Sequence, residues 1–117
     1  MITIDDFKKV EIKIGEIMSA EKIEGSDKLL KLRVNFGGPP TGTERQVLSG
    51  IAAYFPDPGT LVGKKCPFVT NLPPRTMMGL ESQAMILAVG GISTELAVND
   101  GPFALFETTG APGARVK

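Results

Sequence analysis

The sequence predicts an all-β chain folded as a small closed or partly closed barrel. Three observations point to it. Several stretches of strand length carry apolar residues in alternation or in short unbroken runs. The 14 glycines and 9 prolines among 117 residues punctuate those stretches with turns. Only two short stretches suit a helix, so the chain is read as five strands with one interposed helix and short extension strands near the C-terminus.

The elements follow in order. The segment DDFKKV offers one helical turn, with Asp5 or Asp6 as its cap. In VEIKIGEIMSAEKI, Val10, Ile12 and Ile14 alternate with Glu11 and Lys13, and the phase slips at Gly15. A glycine at a phase slip predicts a bulge or tight bend there. EGSDK is a turn. LLKLRVNF gives the clearest strand, with Leu30, Leu32, Val34 and Phe36 on one face and Lys31, Arg33 and Asn35 on the other. GGPPTGTE is a loop, and RQVLSGI a third strand that makes 29–51 a hairpin with a long tip. GIAAYFPDPGTL holds a short helix stopped by Pro56 and Pro58, with Tyr54 and Phe55 packing it onto the barrel or, for an exposed Tyr54, stacking a base. KKCPFVTNL and SQAMILAV are apolar runs of strand length, separated by the segment 71–85, NLPPRTMMGLESQAM, which reads as a turn or a stiff loop. TELAVN and PFALFE read as two short strands before a Gly/Pro tail.

Composition excludes much chemistry. There is no histidine, which removes the usual general base and the common zinc ligand. The lone Cys66 forms no internal disulfide and reads as a small core residue, with a reducing cytoplasm as the expected compartment. No P-loop or dinucleotide-binding fingerprint is present, and no run approaches a membrane span. The expectation is a single domain over 1–117 that is not an enzyme and uses no metal or cofactor.

Net charge is zero but unevenly spread. Residues 1–27 hold four lysines against seven acids, and 81–117 hold Arg115 and Lys117 against four acids. Residues 28–80 hold Lys28, Lys31, Arg33, Arg45, Lys64, Lys65 and Arg75 against only Glu44 and Asp57. A neutral chain with a basic centre can bind phosphate through a local field. With no acid anywhere in 28–43, nothing nearby in sequence neutralises Lys28, Lys31 and Arg33, and the last two share a strand face. Asn71 and Arg75 bracket Pro73 and Pro74, whose fixed φ angles make a stiff segment carrying a donor-rich guanidinium. Met77, Met78 and Met85 read first as core, and second as an adaptable apolar contact surface. A basic strand face on a small barrel suits the oligonucleotide/oligosaccharide-binding (OB) fold.

Five stretches carry a resemblance: DFKKVEIKIGEI, EGSDKLLKL, LSGI, NLPPRTMMGLESQAM and GARVK. Together they resemble the Trbp111-like tRNA-binding domain family, similar to the C-terminal domain of bacterial methionyl-tRNA synthetases and to the EMAP II domain. The resemblance implies a five-stranded OB-fold barrel that binds tRNA by shape, as a homodimer joined through its terminal additions. It also implies a free-standing binder or an auxiliary to an aminoacyl-tRNA synthetase, and places Ser82 and Met85 on the RNA surface. The expected RNA-binding set is therefore Lys28, Lys31, Arg33, Asn71, Arg75, Ser82 and Met85. Thr76 stands where the family commonly has lysine, and Ala84 where it commonly has glycine. The paired prolines of NLPPR are also similar to the CsaA-like export chaperones, which makes a peptide-binding chaperone with an apolar groove the alternative.

Overall fold

The structure, a computed structural model, describes residues 1–38, 43–93 and 98–117. A single turn of helix, α1 (Ile4–Lys8), leads into a long strand β1 (Ile12–Lys22), then β2 (Leu30–Asn35) and β3 (Glu44–Ser49). Two 3₁₀ turns, Ala52–Tyr54 and Pro58–Leu61, precede β4 (Lys65–Val69). A tight hairpin follows, β5 (Arg75–Met77) and β6 (Leu80–Ser82), then β7 (Met85–Ile86). The short strands β8 (Ala88–Val89), β9 (Ile92–Ser93), β10 (Val98–Asn99) and β11 (Ala104–Leu105) complete the chain, β8 pairing with β11 and β9 with β10. The main sheet is antiparallel in the order β3-β2-β1-β4-β7 and curls into a half-barrel, an OB-like all-β fold.

Side chains of the 82–84 segment meet the free edge of β3. The Gln83 backbone N–H donates to the Gln46 carbonyl at 2.8 Å, and the Gln46 N–H donates to Gln83 Oε1 at 3.0 Å. Gln46 Nε2 reaches the Glu81 carbonyl at 2.9 Å, and the Leu48 N–H donates to Ser82 Oγ at 2.9 Å. Amide and hydroxyl groups thus take the place of a strand ladder and satisfy edge groups that would otherwise stand open. Arg45 supports the same seam: its guanidinium donates to the Thr70 carbonyl at 2.8 Å and lies 5.4 Å from the centroid of the Phe36 ring.

The core is one cluster. Ile17, Leu30, Leu32, Val34, Val47, Leu61, Cys66 and Phe68 are fully buried, and Phe36 meets Phe68 edge to face at 5.3 Å. Cys66 therefore sits in the core, as the sequence predicts. The Phe55 ring stands edge-on to Phe103, and Tyr54 stacks on that ring at 4.1 Å, so both aromatic residues tie the first 3₁₀ turn to the C-terminal segment.

Several expectations are corrected. The N-cap of α1 is Thr3, in a capping box with Asp6, because Thr3 has extended backbone and its hydroxyl accepts from the Asp6 N–H at 3.2 Å. The single interposed helix is two 3₁₀ turns, and Pro58 begins the second one. Gly15 is not a bulge: its pairing with Cys66 is in register, and the β1 bulge lies at Met18, between Ile17 and Ser19. The phase slip at Gly15 has another cause. Before it, Ile14 is buried on the outer face, under a C-terminal tail whose Gly113 and Ala114 hydrogen-bond the Ile14 backbone. After it, Ile17 faces the barrel core. The apolar face changes side while the strand runs on. The segment between β4 and β7 is a hairpin rather than a loop, turning at Met78 and Gly79 with φ of 50° and 77°. Positive φ at both central residues marks a type I′ turn. SQAMILAV is broken into β7 and β8 at Leu87, and of TELAVN only Val98–Asn99 falls in the described strands, residues 94–97 lying outside the described part.

Candidate functional site

The β5–β6 hairpin folds back beside the C-terminal end of β3 and the start of β7, because Gln46 and Ser82 fasten its second strand to the β3 edge. The result is a cleft of about 300 Å³ between the hairpin and the Ser49–Gly50 turn. Leu72, Pro73, Met77 and Met85 form apolar walls, with Arg75, Ser82 and Ala84 also lining it. Met85 is 47% exposed and Met77 half-buried, while Met78 at the hairpin tip is 55% exposed. The first reading of these three methionines as core is therefore overturned. The hairpin is only three residues a side, which leaves Met77 and Met78 outside the barrel core, and Met85 stands on the exposed face of β7 while its neighbour Ile86 is buried. A methyl placed on Gly50 would meet nothing within 4 Å, so that wall stands open.

Three of the seven expected site residues, Arg75, Ser82 and Met85, meet at this cleft. Arg75 is exposed, and among the described residues no carboxylate lies within 4.0 Å of it. Ser82 is buried, its hydroxyl engaged by Leu48 and donating to the Ala84 carbonyl at 3.1 Å, so it shapes the cleft from beneath. Asn71 is exposed but doubly engaged: Oδ1 accepts from the Glu11 N–H at 2.8 Å and Nδ2 donates to the Lys9 carbonyl at 2.7 Å. It pins the end of α1 to the exit of β4. Beside it the Thr70 hydroxyl donates to Glu11 Oε1 at 2.6 Å, which, with Lys13, holds the Glu11 carboxyl below its ordinary range against the opposing effect of burial.

The strand cations are neutralised after all. Lys31 pairs with Glu21 across the β1–β2 ladder at 3.2 Å, and Arg33 Nε donates to Glu44 across β2–β3. Those partners lie ten or more residues away, which is why the 28–43 window hides them. Lys64 is likewise paired, with Glu107 at 3.1 Å. Lys28 is exposed, has no carboxylate within 4.0 Å among the described residues, and its carbonyl accepts from the Ala52 N–H at 3.0 Å, next to the Gly50 wall. Leu72 and Gly50 were missed by residue-level reading, and Met77, read first as core, lines the cleft. The MG dipeptide at 78–79, between two short alternating runs, is the signal for the hairpin that exposes Met77. No group of three or more carboxylate or thiol side chains that could hold a metal occurs among the described residues, and no helix among them is long and apolar enough to cross a membrane.

A family model described as "Putative tRNA binding domain" matches residues 12–105. The chain is 45% identical over 101 residues to a methionine–tRNA ligase of Enterococcus faecalis, spanning 86% of this chain and 15% of the ligase. It is 50% identical over 96 residues to the methionine–tRNA ligase of Methanoregula boonei, spanning 82% of this chain and 14% of that one. Among solved structures, a MetRS-related protein from Pyrococcus horikoshii superposes with a TM-score of 0.82 at 36% identity, covering 100% of this chain and 98% of the other. The CsaA chaperone protein of Picrophilus torridus superposes with a TM-score of 0.77 at 28% identity, covering 100% of both chains.

Proposed function

From the premise that the chain belongs to the tRNA-binding domain family, whose model it matches over residues 12–105, we propose that it binds tRNA at the face carrying the β5–β6 cleft, without altering it chemically. The observation that carries this reading is the meeting of Arg75 and Met85 on one exposed cleft, while the backbone of Lys28, which like Arg75 has no carboxylate within 4.0 Å among the described residues, is bonded to Ala52 two residues past the Gly50 wall. Lys28 and Arg75 neutralise phosphates directly. Lys31 and Arg33 do so once they leave Glu21 and Glu44. Met85 supplies apolar contact to an unpaired base, while Ser82 and Asn71 hold the surrounding backbone in place.

The chain spans 15% of the Enterococcus ligase, so we propose a role as a delivery or anchoring module, free-standing or attached to an aminoacyl-tRNA synthetase of methionyl type, and not ligase activity. We also propose a homodimer in the cytoplasm. An outer groove of Ile14, Pro67, Leu87, Phe106 and Val116 shares Val116 with a second groove holding the exposed Phe7 and Val10, and Ile2 and Ile4 are exposed as well, which supports pairing through the termini. Two copies would double the binding surface and raise affinity by avidity.

A titration of tRNA at low and physiological salt tests the reading. Wild type should bind and weaken steeply with salt, and Lys28→Ala with Arg75→Ala should lose at least tenfold in affinity. The CsaA likeness and the apolar cleft walls favour a peptide-binding chaperone as the second reading. Salt-insensitive capture of an apolar peptide, with no tRNA binding, would establish that reading and remove the first.

A further inference from the structure

We propose that the β5–β6 cleft is a pocket for one unpaired nucleobase, which Leu72, Pro73, Met77 and Met85 would contact with Arg75 in the same lining. The inference rests on the tRNA-binding reading and goes beyond it by naming a subsite and its ligand. Its size is the first argument: about 300 Å³ is room for a single ring system. Its lining is the second. Thioethers and a proline ring present flat, polarizable surface to a π face, which every base possesses. Charge is the third. Arg75 has no carboxylate within 4.0 Å among the described residues, so its guanidinium is available to the phosphate or edge of the nucleotide whose base is inserted. The walls are also held before binding: the hairpin is fastened to β3 by Gln46 and Ser82, and two prolines stiffen its approach, so little entropy is lost on insertion.

Gly50 offers a direct test. Its φ lies outside the left-handed region and an added Cβ meets open space, so Gly50→Leu can fill the mouth of the cleft without disturbing the fold. The first measurement uses wild type alone, with ¹³C-methyl methionine, titrated with the four nucleoside 5′-monophosphates. Met77 and Met85 methyls should show upfield ring-current shifts. Met18, exposed to the same 47% as Met85 but outside the cleft, should not move. In the second, Gly50→Leu and Leu72→Ala should each abolish those shifts, leave the Met18 signal in place, and lower tRNA affinity about tenfold, the effect of losing one base stack.

If wild type binds tRNA but nucleotides leave Met77 and Met85 unmoved and both variants bind tRNA like wild type, the pocket is refuted and the tRNA reading stands. If nucleotides shift these methyls while tRNA does not bind, the pocket stands and the wider reading falls. Shifts produced by an apolar peptide and by no nucleotide would assign the cleft to polypeptide and overturn the proposal.

Discussion

A methyl group on Gly15 would come within 2.8 Å of Phe36 Cε1 and crowd Val34 and Phe68, all in the barrel core. Gly15→Ala should therefore cost about 1–3 kcal/mol by overpacking, read as a lowered urea midpoint with an unchanged slope. Met78 shows the opposite opportunity. It is the one non-glycine with positive φ among the described residues, at the first central position of a type I′ turn. Met78→Asn should stabilise the chain by about 0.5–1 kcal/mol, since asparagine tolerates that conformation far better. Cys66 titrates late: burial, with a smaller push from nearby Glu107, raises its thiol to about 11. A thiol whose folded pKa exceeds its unfolded value favours the fold at low pH, and that advantage is lost as pH rises from about 9 through about 11. Thiol reagents at pH 8 should leave the native protein unmodified and react on adding denaturant; reaction at equal rates in both states would contradict the buried thiol.

At the scale of elements, Gln46 and Gln83 exchange side-chain and backbone hydrogen bonds where an OB-like barrel needs its last seam. Gln83→Ala should open that seam, speeding amide exchange at Gln46 and at 81–84 while protection at Leu32 and Phe68 holds; uniform exchange across the sheet would show the seam is not a local unit. The strands around it were legible to different degrees. β2 was plain because one of its faces is core and the other solvent, so its alternation is clean. β1 was misread at Gly15 because two different layers, the C-terminal tail and the barrel core, cover its two faces in turn. A single strand cannot announce that. The hairpin was missed because a methionine occupies a turn position usually held by asparagine or glycine. Of the candidate site, Arg75 and Met85 were legible from the proline pair and the family pattern. The ion pairs on Lys31 and Arg33 were not, since they join residues that only strand register brings together.

Across the whole molecule, the N-terminus is tied to the barrel by a small polar knot of Glu11, Thr70 and Asn71. The Glu11 carboxyl, held down chiefly by the Thr70 hydroxyl, contributes stability above its ordinary value of 4.5 and loses it as pH falls through the lower folded value. Thr70→Val should flatten that acid limb in a melting series across pH and leave the neutral end shifted only by the lost hydrogen bond. If the termini join two copies, Ile4→Asp with Phe7→Asp should give a monomeric mass at micromolar concentration, whereas an unchanged mass would move the interface elsewhere. The ladder pairs Lys31–Glu21 and Arg33–Glu44 carry one more consequence. Each carboxylate is a counterion that the protein supplies to itself; when phosphate displaces it, the cation leaving the phosphate is offset by one drawn to the freed carboxylate, so the net release is close to nil. The log–log salt dependence of tRNA affinity should then count only Lys28 and Arg75, with a slope of about −1.5 per protomer. Glu21→Gln with Glu44→Gln should steepen it to about −3 and tighten binding at low salt, turning two internally compensated cations into two that trade with the bath.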